Sequence, residues 1–402
     1  TAAILATNGF QVVGVDTNRE VVETLNGGEV HIEEPGLRTM VEAGFKSGNL
    51  KAKSEPEEAD VFVIAVPTPL KGEKPELSYL KSASESIVDY LTKGDLVINE
   101  STSPPGTTEG VILPILEKSG QKGGKDFHLA HCPERVLPGK IMKELTENDR
   151  VIGGIDEESA RAAREIYQTF VEGNIYLTDA TTAELVKVME NTYRDVNIAL
   201  ANEIAGLSEE LGVDAWDAIE LANRHPRVNF LRPGPGVGGH CIPIDPWFII
   251  DKAREETPLL QLSRQINDSQ PERVVGVVEK MVEDIEEPKI TLLGVAYKGN
   301  VDDTRETPAL PVLKKLEKLG YDISVADPHV EDFHYELVGY EKAFRGSDCA
   351  VLLTDHDEFT EIQSDEMGEL MRSKKMLDTR NLLDHESWES AGFEVRRLGV
   401  GG

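Results

Sequence analysis

Short unbroken apolar runs separated by longer amphipathic stretches dominate the first 178 residues. Residues 61–66 (VFVIAV), 96–99 and 127–130 are such runs, and apolarity confined to so few positions suits strands covered on both faces of a parallel sheet. Residues 10–15 (FQVVGV) form another, ending at Asp16, and 175–177 a last one. Residues 78–91 and 157–170 read as helices, and the small apolar segment 1–7 is closed by Asn8-Gly9, as a helix C-terminus is. Strands alternating with helices predict a doubly wound α/β sheet, whose strand-end loops lie at the edge where such sheets bind ligands.

From residue 181 the pattern changes. One helix is predicted to run to about Leu211, with Leu185, Val188, Met189, Val196, Ala199 and Leu200 at helical spacing. Glu184, Lys187, Asn191 and Asp195 form a second, polar stripe, for which a solvated face is the ordinary expectation. A helix of roughly 30 residues is more than twice the usual length and suits an interdomain spine or a subunit interface. Residues 232–247 (RPGPGVGGHCIPIDPW) cannot continue it, because four glycines and four prolines predict a loop of fixed shape. Beyond it, 271–285 and 307–319 read as helices, 286–288 as a linker, and 290–295, 322–326 and 350–353 as strands. The expected fold is α/β: two Rossmann-like doubly wound domains, 1–178 and 288–402, joined by a long central helix in a helical dimerisation region, 179–287.

Composition narrows the partners. With 39% hydrophobic and 29% charged residues and no apolar run approaching the ~20 needed to span a bilayer, no membrane role is expected. A formal charge of -31 argues against nucleic acid as a partner, since its phosphates would be repelled. A protein this acidic that binds a phosphorylated ligand must gather its cations locally, so individual Lys and Arg residues become informative. Three cysteines, Cys132, Cys241 and Cys349, are too sparse for a disulfide framework and favour the reducing cytoplasm.

The 232–247 loop presents one thiol, Cys241, and a carboxylate, Asp245, four residues later; Gly238 and its neighbours let a ligand approach the backbone. A thiol beside an activating group is the minimum for covalent catalysis, against the alternative of a structural turn with a buried cysteine. His131-Cys132 and His240-Cys241 lack zinc-ligand spacing and no metal is expected; His131 and Cys132 are expected to line the floor of a cleft, and Cys349 to be core. Trp247 and Phe248 are expected to anchor the loop by packing. Asp16, at the end of a second strand, suits the acidic residue that holds the adenosine ribose in NAD sites, about 20 residues after a glycine fingerprint. That fingerprint and its strand are expected to lie ahead of Thr1.

Four segments, CPERVLPG, LVKVMENTYRDVNIALANE, GPGVGGHCIPIDPW and GVAYKGNVDDTRETPAL, occur in the order and spacing of the UDP-glucose/GDP-mannose dehydrogenase family, which the chain resembles over essentially its whole length. The resemblance implies NAD-dependent oxidation of a sugar C6 hydroxyl to a carboxylate, a four-electron change that a thiohemiacetal and then a thioester on Cys241 would bridge. It implies a UDP-hexosamine substrate, with UDP-N-acetyl-D-mannosamine favoured by HPRVNFLRPGPGVGGHCIPIDPWF and UDP-N-acetylglucosamine or UDP-glucose as alternatives. It also implies a homodimer or larger homo-oligomer and a place in polysaccharide biosynthesis.

By the same resemblance Lys187 and Asn191 surround the C6 oxygen, Asp245 and Thr102 hold the hydrolytic water, and Glu134 is the general base, although Pro138 stands where some members carry a second Glu. Thr68, Thr102, Asp16 and Arg305 fall at cofactor positions. Glu134, Arg135, Lys187, Asn191, Gly238 and Lys298 fall at substrate positions, and Arg227 matches an arginine that reaches the neighbouring subunit's nucleotide-sugar. The other classes left open are a nucleotide-sugar-binding protein without turnover and an NAD-independent thiol acyltransferase or hydrolase. A catalytic triad with a histidine orienting the thiol would mark the last.

Overall fold

The computed structural model describes residues 1–30, 34–136 and 139–401. The chain forms two compact units, 1–190 with 247–252, and 191–246 with 253–402. In the first, the short helix Ala2–Thr7 ends at Asn8 and Gly9 takes φ 92°, as the sequence predicts. The next strand, β1 (Val12–Val15), pairs in parallel with β2 (Leu50–Lys53).

A five-stranded sheet follows in the order β3-β6-β7-β8-β9, formed by Val61–Ile64, Leu96–Asn99, His128–His131, Arg150–Gly154 and Ile175–Asp179. The hairpin β4 (Leu70–Lys71) and β5 (Lys74–Pro75) stands apart from it. All pairs in the sheet are parallel except β7 with β8. Leu96, Val97, Ile98, Leu129, Ala130 and Ile152 are buried, so the central strands are covered on both faces, which is why they read as unbroken apolar runs.

The second sheet is wholly parallel, in the order β11-β10-β12-β13-β14, from Asp322–Ala326, Lys289–Leu293, Cys349–Leu352, Lys375–Asp378 and Glu394–Arg397. Strand order reverses around β10, whose neighbours are β11 and β12, and such a switch point leaves a crevice at the strands' carboxyl ends. Val274, Val275 and Val278 of the helix Pro258–Met281 and Val312, Leu313 and Leu316 of the helix Ala309–Lys318 share one core with Ile290, Leu292 and Val351.

The long helix spans Ala180–Leu211. Its polar stripe is not solvated: Glu184 and Asp195 are 0% exposed and Asn191 1%. Each is buried because a polar partner meets it, as described below. Conversely Leu200, expected on the inner apolar face, is 45% exposed, and Met189 is also exposed. Several element boundaries differ from expectation, and two change the reading of the sequence. The helix expected from Pro271 begins at Pro258 and carries Pro271 inside it. Proline removes one N–H from a helix interior, and here packing of the flanking turns through buried Arg264, Asn267, Val274 and Val278 outweighs that loss. The loop 232–247 gives way at its end to the helix Asp245–Lys252, in which Phe248 is 1% exposed.

Candidate active site

Strand pairing sets two loops of the first unit side by side. Ile64 of β3 lies opposite Asn99 of β6, and past the ladder the Glu100 N–H donates to the Ile64 carbonyl at 2.9 Å and the Val66 N–H to Ser101 Oγ at 2.9 Å. Thr68 follows the first strand and half-buried Thr102 the second. Thr68 is buried and its Oγ1 has no hydrogen-bond partner. An orphaned buried hydroxyl at the carboxyl edge of an α/β sheet is what a ligand site leaves when described without its ligand. Asp16 is exposed at the end of β1, and its Oδ1 accepts the Asn18 N–H at 2.7 Å. A carboxylate open to ribose hydroxyls and an unpartnered hydroxyl fit a dinucleotide.

Glu184 fixes the continuation of the Thr102 loop. Its carboxylate accepts the N–H groups of Gly106, Thr107 and Thr108 at 2.5, 3.2 and 2.7 Å, and the Thr108 hydroxyl at 2.6 Å. Burial pushes its pKa up against the pull of those donors. Beyond β7, Glu134 accepts the Arg135 N–H at 2.7 Å and faces the buried Arg150 guanidinium at 3.5 Å. Arg135 makes a two-pronged ion pair with Glu190, at 3.1 and 2.6 Å. Lys187 is half-buried with no ion pair among the described residues, a free cation in an acidic protein. Pro138 lies outside the described residues. His131 and Cys132 do not line a cleft: both are 0% exposed, because the end of β7 runs under the core of Leu145, Ile152 and Tyr167. Burial pushes the Cys132 thiol up to about 12.

In the second unit the glycine loop is shaped by contact. A Cβ on Gly238 would lie 2.7 Å from both the Glu306 carbonyl oxygen and Tyr297 Cβ. Gly239, at φ 85°, donates its N–H to the Arg305 carbonyl at 3.0 Å, and a Cβ there would meet the Tyr297 ring at 2.8 Å. Cys241 follows with an exposed, disulfide-free thiol. Its carbonyl accepts the N–H of Ile244 at 3.1 Å and of Asp245 at 2.9 Å, one tight turn that sets Asp245 at the start of its helix. Asp245 is buried, and its Oδ2 accepts Asn191 Nδ2 at 2.5 Å. Asn191 Oδ1 in turn accepts the Arg194 guanidinium. Thiol, carboxylate and amide are therefore linked through one turn and one hydrogen bond.

Other expected site residues sit apart from that chain. Arg305 is exposed and held by Asp303 at 2.9 and 2.6 Å, yet close enough to influence Cys241 electrostatically. Arg227 is exposed beside His225, and Lys298 is exposed with no ion pair among the described residues. Sequence reasoning missed the support beneath the loop. Asp195 pairs with buried Arg264 and accepts the Asn267 amide at 2.8 Å; Asn267 Oδ1 accepts from Asn202 at 3.0 Å, whose Oδ1 accepts the Gly234 N–H at 2.9 Å. Burial pushes the Asp195 carboxyl up against the Arg264 guanidinium, and stranding either charge would cost about 3–5 kcal/mol. Asp195, in step with Asn191, was the one visible signal; nothing in the sequence marked Arg264 as its partner.

Three domain models of the UDP-glucose/GDP-mannose dehydrogenase family match the chain: the NAD binding domain over residues 1–171, the central domain over 181–269 and the UDP binding domain over 291–385. The chain belongs to this family, and it is an NAD-dependent oxidoreductase of nucleotide sugars. It is 50% identical to the UDP-N-acetyl-D-mannosamine dehydrogenase of Methanococcus maripaludis, over 100% of this chain and 94% of that protein. Among solved structures it resembles the UDP-D-ManNAc dehydrogenase of Pyrococcus horikoshii, with TM-score 0.93 and 43% identity over 99% of this chain and 96% of that one. It also resembles the NDP-N-acetyl-D-galactosaminuronic acid dehydrogenase of Methanosarcina mazei, with TM-score 0.90 and 31% identity over 100% and 93%.

Proposed function

We propose that this protein oxidises the C6 hydroxyl of UDP-N-acetyl-D-mannosamine to the carboxylate, through a thioester on Cys241. The observation that carries the reading is the exposed Cys241 thiol, one turn ahead of a buried Asp245 that binds Asn191. Bound NAD supplies the hydride acceptor for each of the two oxidations. Lys187 and Asn191, one helical turn apart, stabilise negative charge on the C6 oxygen as its proton leaves. The Cys241 thiolate adds to the C6 aldehyde to give a thiohemiacetal, which retains the aldehyde and becomes the thioester on the second oxidation. Water, positioned by Asp245 with Thr102 and deprotonated by Glu134, cleaves the thioester and frees the thiol and the acid.

Residues 1–178 take the cofactor, through Asp16, Thr68, Thr102 and Arg305 from the later chain, while 288–402 take the UDP moiety, with Lys298 and Arg135 on the nucleotide-sugar. Residues 179–287 pair subunits. Tyr193, Leu200, Leu207 and Leu211 are 58, 45, 52 and 66% exposed along one helix at intervals that keep them on one side, a stripe that a second copy would cover. Arg227 then reaches the partner subunit's nucleotide-sugar. The test is NADH formation with UDP-N-acetyl-D-mannosamine, UDP-N-acetylglucosamine, UDP-glucose and GDP-mannose, counting NADH per sugar. About two per UDP-N-acetyl-D-mannosamine is expected from a four-electron oxidation; turnover of only another sugar would overturn the substrate, and release of aldehyde the mechanism.

A further inference from the structure

A buried acid and imidazole at the second sheet's switch point take no part in the chemistry above. Asp327 follows β11 and His356 follows β12, the strands flanking β10, and neither side chain is exposed. The Asn300 N–H lies 2.9 Å from His356 Nδ1. A backbone amide can only donate, so Nδ1 is the bare nitrogen, and Nε2 carries the proton that it gives to Asp327 Oδ2 at 3.1 Å. The same Oδ2 accepts the N–H groups of Val295 and Ala296 at 2.7 and 3.2 Å, and Oδ1 those of His329 and Val330 at 2.9 and 3.0 Å. Asp327 therefore grips the start of the segment 295–300 and His356 its end; Tyr297 and Lys298 lie between.

The rest of the β12 loop follows the same design. Thr354 Oγ1 donates to the Ala296 carbonyl at 2.7 Å, and the Asp357 N–H to Asn300 Oδ1 at 2.9 Å. A Cβ on Gly299 would lie 2.1 Å from the Asp355 carbonyl oxygen, so the two loops touch where only glycine fits. His329, His356 and Glu358 have ligand-capable atoms within 4.8 Å of one another, a metal-like grouping. Both His356 nitrogens are already spent, however, and His329 Nε2 lies 3.1 Å from Glu358. A metal would have to break the bonds that shape the loop.

We infer that Asp327 and His356 are positioning residues that hold the 295–300 segment so that Lys298 meets the nucleotide-sugar. This rests on the proposed contact of Lys298 with substrate. Asn places an acceptor where His has Nδ1, so His356→Asn keeps the Asn300 bond, whereas His356→Leu keeps neither. For His356→Leu the KM for the nucleotide-sugar should rise roughly 10-fold, with kcat and the KM for NAD changed less than about 2-fold, and His356→Asn should recover most of the loss. Lys298→Ala is the reference: if it leaves the sugar KM unchanged, the reading of Lys298 fails. If Lys298→Ala raises that KM while folded His356→Leu does not, or if His356→Asn is as impaired as His356→Leu, the positioning role is overturned. Circular dichroism and the melting temperature identify the folded variants, and should His356→Leu not fold, a raised sugar KM in His356→Gln, relative to His356→Asn, decides in its place.

Discussion

His131 closes β7 in the first five-stranded sheet, buried with Nε2 unpartnered, while Asp327 follows β11 in the second, its buried carboxylate facing five donors. Burial drives the imidazole down to about 3, outweighing a backbone hydrogen bond to Asn99 that favours the charged form, so it is neutral. Burial would raise the carboxyl, but the bonds from His356, Val295 and His329 and the pull of His356 bring it to about 2, so it is charged. The first edge leaves His131 Nε2 and Thr68 Oγ1 unanswered; the second uses a charged carboxylate to pin its loops. At the first edge Thr68 Oγ1 is left with hydrogen-bonding capacity for a ligand, and at the second the bonds of Asp327 and His356 hold the segment that carries Lys298.

Where the two sheets agree is in burying thiols, and this gives the largest expected effect. Cys132 and Cys349 are both pushed up to about 12 by burial, from 9.0. That leaves roughly a thousandfold less thiolate than an ordinary thiol has. Iodoacetamide on the native protein, followed by peptide mass mapping, should label Cys241 alone.

The next effect separates the edges by acid. His131 binds its proton more weakly folded than unfolded, so its stabilising contribution is complete above pH 6.5 and is lost as pH falls toward 3, by on the order of 5 kcal/mol. Urea midpoints measured from pH 7 to 4 should fall, and His131→Asn should flatten that fall. Asp327 is also depressed, so its contribution is complete above pH 3.8 and lost as pH falls through about 2. Asp327→Asn should instead cost about 2 kcal/mol at pH 7, read from the same midpoints. The smallest effect falls at Thr68. Thr68→Val removes a hydroxyl with no partner, so stability should change by less than about 0.5 kcal/mol while the KM for NAD rises a few-fold.

Strands were the most legible elements: 96–99 coincides with β6, whose full burial leaves an almost unbroken apolar run, and 322–326 coincides with β11, an edge strand buried only at its end. The antiparallel junction of β7 with β8 left no mark, since strand direction depends on connections, not composition. Pro271 misled because local proline chemistry is outweighed by packing along the helix Pro258–Met281. The polar stripe of the long helix was visible, but its burial was not: Arg264, Thr108 and Asp245 arrive from distant sequence. The neighbourhood of Cys241 and Asp245 could be read from the sequence because the tight turn that joins them needs only four residues. Asp327 and His356, 29 residues apart, gave no such signal.

The most direct test of covalent catalysis is intact-mass measurement on enzyme quenched during turnover of UDP-N-acetyl-D-mannosamine with NAD, using the Asp245→Asn variant to slow hydrolysis. A nucleotide-sugar adduct mapping to Cys241, absent from Cys241→Ser, is the expected result. Acid formation by Cys241→Ser at the wild-type rate, with no adduct on any variant, would contradict it.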